Sequence, residues 1–243
     1  MSLPGQQTRQ EGPQEQEPRR RSRRQSKRPR MQNQSLKPEA TYYEGETGQV
    51  ERAARLTSIQ PHDLAQKIDQ LQRQVTLHKN RSESLLREYV RAQLVSQGDP
   101  FGQPDFIPPL RPIPGLPSPD ISQEAWISLS DSERLRQNYV AYGVLPDHLR
   151  TVLHWQQQLN PHAIRLLDLL GSAAPQAQGL HNNLAVLLQL VGSHLPTVSI
   201  PPKLSATNHF QEKVIGYNVC RSYHHWLLRT DKDIGLLAKK YPL

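Results

Sequence analysis

Side chains recur at alternating spacings of four and three along Leu64, Ile68, Leu71, Val75, His78, Ser82, Leu85 and Tyr89, with polar residues between them. A helix that turns every 3.6 residues puts these positions on one buried stripe, which here is polar at its middle. This first helix is expected from near Gln60 to Gln97, with Pro61 suited to the first helical position and Gly98 to a left-handed stop. A second face runs through Leu135, Tyr139, Tyr142, Leu145, Leu149, Val152, Gln156 and Leu159. Ser130-Asp131-Ser132-Glu133 opens it as a capping box, in which the serine and glutamate side chains satisfy each other's backbone amides. Pro146 predicts a kink or local break in it. Asn160-Pro161 reads as the cap and first residue of a third helix, carrying Ile164, Leu167, Leu170, Ala174, Ala177, Leu184, Leu187, Leu188 and Val191. Gly192 ends this helix, and Gly171 and Pro175 weaken its first half. A fourth helix is expected from about His209 to Lys240, with Phe210, Val214, Tyr217, Cys220, Leu227, Ile234 and Leu237 on its apolar side and Lys239 and Lys240 at its electronegative end.

The connections set the topology. Eight prolines fall between Gly98 and Ser122, and a residue without an amide donor that also disfavours helix in its predecessor makes this stretch an extended connector. At about 3.1 Å per residue it reaches on the order of 50 Å, enough to return along the whole first helix. The second and third helices are joined almost without a loop and must be antiparallel. A second connector, Ser193 to Asn208, contains Pro196, Pro201 and Pro202 and also has the reach to run end to end. The expected fold is all-α, an up-up-down-down four-helix bundle with two long crossover loops. No repeat of solenoid period is present.

Charge changes this picture only at one end. The chain has 243 residues and a formal charge of +8. Arg19, Arg20, Arg21, Arg23, Arg24, Lys27, Arg28 and Arg30 form a basic run without an acid among them, and removing these eight from the 30 Lys and Arg leaves as many as the 22 Asp and Glu. The basicity therefore belongs to a tail and not to a folded surface. Residues 1–57, rich in Gln, Glu, Arg, Pro and Ser, are expected to be a disordered basic tail, and residues 58–243 the helical domain. The run reads as a solvated tail by default, with nuclear import, polyanion attachment to nucleic acid or heparin, or proteolytic processing at RSRR as functional readings. The N-terminus lacks the apolar run of a conventional secretory signal, and no segment nears the roughly 20 apolar residues of a membrane span.

Little catalytic chemistry is on offer. A single cysteine, Cys220, excludes an internal disulfide framework and a multi-cysteine zinc site, and it repeats with an apolar face. His224 and His225 are adjacent and point apart on a helix, and His162, His181 and His194 have no ligand spacing. No Walker loop, nucleophile elbow or HExxH occurs. The reading is of a non-enzyme with no cofactor and no metal.

Four blocks in order carry a resemblance: QGDPFGQPDFIPPLRPIPGL after the first helix, AWISLSDSERLRQN at the second, QQQLNPHAIRLL at the third, and FQEKVIGYNVCRSYHHWLLRTDKDIGLL in the fourth. They resemble the cardiotrophins, interleukin-6-type helical cytokines of the ciliary neurotrophic factor and leukaemia inhibitory factor branch, over about Leu64 to Leu237. The resemblance implies a long-chain cytokine bundle and a secreted ligand, released without a conventional signal peptide after a cytoplasmic stage. Its implied partners are the common interleukin-6-family signal-transducing receptor and the leukaemia inhibitory factor receptor, whose associated kinases signal. A third, specificity receptor is left open. An intracellular nuclear or RNA-associated helical protein acting through the basic arm is the alternative.

The same resemblance implies the receptor-binding residues. A Phe and a Lys three residues later at the start of the fourth helix form the leukaemia inhibitory factor receptor epitope in this branch, and Phe210 and Lys213 hold those positions. An apolar anchor beside a cationic rim suits a small hot spot; the plainer reading is a helix-end staple and a solvated charge. Leu228, Arg229, Lys232 and Asp233 match positions that face a specificity receptor in ciliary neurotrophic factor, although Arg229 and Asp233, one turn apart, also read as a surface ion pair. Of Trp126, Trp155 and Trp226, which by type belong to cores and edges, Trp126 is the best candidate for a binding role.

Overall fold

The computed structural model describes residues 61–94, 100–103 and 105–243. The tail 1–57, with its basic run, and the Gly98 stop lie outside the described residues. Among the described residues there are five α-helices and one 3-10 turn, and no strand. Helix α1 is Pro61–Gln93, α2 is Gln123–Ser128, α3 is Asp131–Leu159, α4 is Ile164–Leu190 and α5 is His209–Lys240. The four long helices form the bundle.

Their directions follow from side-chain pairs. Tyr89 meets Lys213 and Lys79 meets Asp231, so α1 and α5 are antiparallel. Asn138 meets Asp233 while Val152 packs at Gly216, so α3 and α5 are antiparallel too. Gln156 near the end of α3 bonds Tyr89 near the end of α1, which makes those two parallel. Helix α1 packs on α4 and α5, and α3 packs on the same two. The expected up-up-down-down arrangement is therefore the observed one. The apolar stripes close the core: Ile68, Leu71, Val75, Leu85 and Tyr89 of α1 pack with Leu145, Leu149 and Val152 of α3, Leu170, Leu180 and Leu184 of α4, and Val219, Tyr223, Trp226 and Leu227 of α5.

Local chemistry fixes several ends as expected. Ser130 caps α3 with both halves of the capping box in place, and Gly192 follows α4 at φ 68°, with the Ser193 amide bonded back to the Leu188 carbonyl. Other expectations are corrected. Neither Pro146 nor Pro175 interrupts its helix. Pro175 is exposed, and the carbonyl it leaves without an amide belongs to Gly171, which is exposed as well. Asn160 ends α3 and does not begin α4, which starts at Ile164 without a side-chain cap. The Asn160 amide lies against those of Gln93 and Gln156, so its bonding is directed across the bundle. Ile164, expected on the buried face, stands exposed in the first turn of α4, and Leu166 is buried instead.

The proline connector is not simply extended. Its Pro100–Gly102 segment is a 3-10 turn, and a short helix, Gln123–Ser128, capped by Ser122, follows it. Between them the chain is strapped to α5: Asn218 donates to the Pro109 carbonyl, the Trp226 indole to Pro117 and Arg229 to Pro119. Eight extended residues span about 25 Å and eight helical ones about 12 Å, so the strap needs to lose length between Pro109 and Pro117. A turn closed by Leu116 N–H to the Ile113 carbonyl does this, with Pro114 and Gly115 at its centre and Gly115 at φ 73°. His148 of α3 bonds the Pro114 carbonyl at 2.8 Å and holds that turn down.

Candidate functional sites at the two ends of the bundle

The end where α1 and α3 finish and α5 begins carries Phe210 and Lys213. Asn208 caps α5 by accepting from the Gln211 amide at 2.9 Å. Phe210, in the first turn, remains 38% exposed. Its ring meets two from the connector, Phe101 at 6.3 Å and Phe106 at 6.2 Å between centroids, and those two contact each other edge-on at 5.1 Å. Phe101 is buried and Phe106 half-buried, so three rings form an apolar platform anchored at one corner. Lys213 is only 6% exposed. Neither a solvated charge nor a free cationic rim describes it.

A neutral polar cluster lies beneath. The fully buried Tyr89 hydroxyl donates to the Lys213 carbonyl at 3.0 Å and accepts from the Gln156 amide at 3.0 Å. Gln156 in turn accepts from Gln93 at 2.9 Å. Burial pushes the Tyr89 phenol well above its ordinary value, so it keeps its proton and remains a donor.

The opposite end, where α1 and α3 begin and α5 finishes, carries the other candidates. Asp233 is fully buried. Its Oδ1 accepts from the Trp126 indole at 2.7 Å and from Arg134 Nη1 at 3.3 Å, and its Oδ2 accepts from Asn138 at 2.8 Å, with Arg229 Nε at 3.7 Å. Arg134 also lies over the Trp126 ring at 4.5 Å and donates to the Trp126 carbonyl at 2.5 Å. Arg229 stacks over Trp226 and bonds Gln137 and the Pro119 carbonyl. Burial pulls the Arg229 guanidinium below its ordinary value, Asp233 opposes this, and Arg134 adds to it. The surface ion pair expected of Arg229 and Asp233 is thus a buried network of two guanidiniums on one carboxylate.

What this network presents is a cleft of about 560 Å³ lined by Pro119, Ile121, Trp126, His225, Leu228 and Lys232 among others. Leu228 and Lys232 are exposed and Trp126 half-buried, so these three are the accessible members of the predicted set, while Arg229 and Asp233 support them from below. Sequence reasoning did not find Arg134, Asn138, Phe101, Phe106 or Tyr89 as site residues. The one signal available was the polar Gln156 in an otherwise apolar stripe. Among the described residues no group of acids, histidines or cysteines is placed to hold a metal, and Cys220 is a buried free thiol whose burial pushes it far above its usual range.

Residues 59–242 match the sequence model of the family described as plethodontid receptivity factor, PRF. Human cardiotrophin-1 is 40% identical over 186 residues, covering 74% of this chain and 89% of its own length. The chain belongs to the cardiotrophin family of helical cytokines. Mouse cardiotrophin-1 is 38% identical over 189 residues, with the same coverage of both chains, 74% and 89%. Mouse cardiotrophin-2 is 36% identical over 169 residues, 68% of this chain and 79% of its own. The matched span takes in every helix of the bundle and both candidate ends. No helix among the described residues is long and apolar enough to cross a membrane.

Proposed function

We propose that the chain is a secreted ligand that assembles cell-surface cytokine receptors and so triggers their associated kinases. The observation that carries this reading is the aromatic platform at the start of α5, an exposed Phe210 ring braced by Phe101 and Phe106 at the position where this branch of cytokines meets the leukaemia inhibitory factor receptor. A rigid aromatic at a protein surface loses little entropy when covered and is typical of a hot spot. Lys213 acts in this reading from a buried position. The common signal transducer engages a separate face on α1 and α4, where Leu77 and Val186 are exposed, each three residues beyond the Gln74–Asn183 contact that joins the two helices. The Trp126–Leu228–Lys232 cleft is the surface available to a third receptor, with Arg229 and Asp233 shaping it.

Purified full-length protein added to cells bearing both shared receptor chains is expected to raise receptor and kinase phosphorylation; silence in that assay contradicts the reading. The basic run favours a second reading, an intracellular protein that binds polyanions through its arm. Deleting residues 1–38 separates the two, because the cytokine reading expects receptor activity to survive and the polyanion reading expects function to vanish.

A further inference from the structure

Gly216 sits in the second turn of α5, where glycine costs helix stability relative to alanine. A Cβ at that position meets the Tyr89 hydroxyl at 2.1 Å and its Cζ at 3.0 Å. Glycines 171 and 179 of α4, by contrast, have nothing within 4 Å of an added Cβ. The missing methyl at Gly216 is therefore the notch into which Tyr89 reaches from α1. Once seated there, the hydroxyl donates to the carbonyl of Lys213, one turn before Gly216, and is itself held by the Gln156 amide from α3.

That bond ties down a helix end. The opening turn of α5 is capped locally by Asn208, and the Thr207 amide bonds the Gln211 side chain, but both ties come from the same stretch of chain. Helix ends open at far lower cost than helix middles. Tyr89 brings a tie from a different helix, with a buried donor that has no water to exchange for its acceptor. Phe210 precedes the tied carbonyl by three residues, on the same face.

We propose that Tyr89, seated in the Gly216 notch, is a positioning residue that holds the first turn of α5, and with it Phe210 and Lys213, in the geometry a receptor meets. This rests on the receptor reading of Phe210 given above. Pre-ordering a contact surface raises affinity by removing the ordering cost from the binding step, and the gain is felt mainly in dissociation.

The test uses the full chain carrying Tyr89→Phe, which keeps the ring beside the notch and removes the hydroxyl with both its bonds, the one to the Lys213 carbonyl and the one from the Gln156 amide, alongside Phe210→Ala as a control on the receptor reading. Backbone amides 211–217 should exchange with deuterium about fivefold faster while amides 227–237 keep their rates, the size expected for one lost net hydrogen bond. Affinity for the leukaemia inhibitory factor receptor ectodomain should fall measurably, by at most about fivefold, through faster dissociation, with affinity for the common transducer unchanged. Gly216→Ala, which fills the notch, should reproduce the same local pattern with a larger loss of overall stability. Unchanged exchange at 211–217, or acceleration spread evenly along α5, overturns the proposal. So does accelerated exchange with full receptor affinity in Tyr89→Phe when Phe210→Ala has lost it. If Phe210→Ala itself binds as the unmodified chain does, the receptor reading fails and takes the positioning role with it, and the control variant identifies that cause.

Discussion

The two ends of this bundle solve the same problem with different chemistry. Each presents an aromatic side chain, Phe210 at one end and Trp126 at the other, over a buried polar cluster that joins three elements. At the Phe210 end the cluster is neutral, built of the Tyr89 hydroxyl and the Gln93, Gln156 and Asn160 amides. At the Trp126 end it is ionic, with Arg134 and Arg229 on Asp233. A neutral group that loses a partner carries a modest penalty; a buried charge that loses its partner carries a large one. The ends should therefore differ in how much stability depends on a single atom group, and the aromatic face is more deeply coupled to the fold at the ionic end.

Asp233→Ala strands two guanidiniums in the interior. It should cost about 3–5 kcal/mol in denaturant unfolding and lower Tm by about 10 °C. A loss below about 1 kcal/mol, the scale of an exposed pair, removes the ionic end's special status. Gln156→Ala leaves Tyr89, Gln93 and Asn160 each short of a partner without isolating a charge, and should cost about 1–3 kcal/mol in the same experiment. Equal losses at the two ends contradict the contrast between them.

Four histidines, His148 buried and His78, His224 and His225 half-buried, give the smallest effect. Burial lowers His78, His148, His224 and His225 below the ordinary histidine value, against an opposing bond from the Pro114 carbonyl in the case of His148. The unfolded chain then takes up these protons first. Their contribution to stability is whole above pH about 6.5 and is lost as pH falls through the depressed folded values. Tm should decline between about pH 7 and pH 5, and His148→Gln, which keeps a donor for the strap, should flatten part of that decline. A Tm that rises on acidification over this range reverses the sign argued here.

How much of this was written in the sequence depends on the distance over which each residue's bonding is decided. The Ser130 capping box, Gly192 stop and both bounds of α5 were legible because caps and stripes are settled within a few residues. Asn160 looked like a helix start because nothing local reveals that Gln93, 67 positions away, will draw its side chain across the bundle. Arg229 and Asp233, at helical spacing, looked like a surface pair for the same reason: the partner that buries them, Arg134, lies 99 positions from Asp233. Trp126 was marked out by type, but its six-residue helix, just past the proline connector, buries no residue and so leaves no apolar stripe to read. Phe210 was legible as a position and Lys213's burial was not, since burial depends on the packing of the whole bundle and not on neighbours in the chain.

On the proposed reading the Phe210 platform is a receptor face separable from the fold and from the rest of the ligand. Phe210→Ala alone tests it most directly, because Lys213 is buried and changing it confounds binding with stability. Surface binding of the full chain to each isolated receptor ectodomain should show leukaemia inhibitory factor receptor affinity reduced at least about thirtyfold, the scale of a hot-spot aromatic worth about 2 kcal/mol. Affinity for the common transducer and Tm should both stay near their original values. Full affinity for the leukaemia inhibitory factor receptor, or an equal loss toward both ectodomains, contradicts the account.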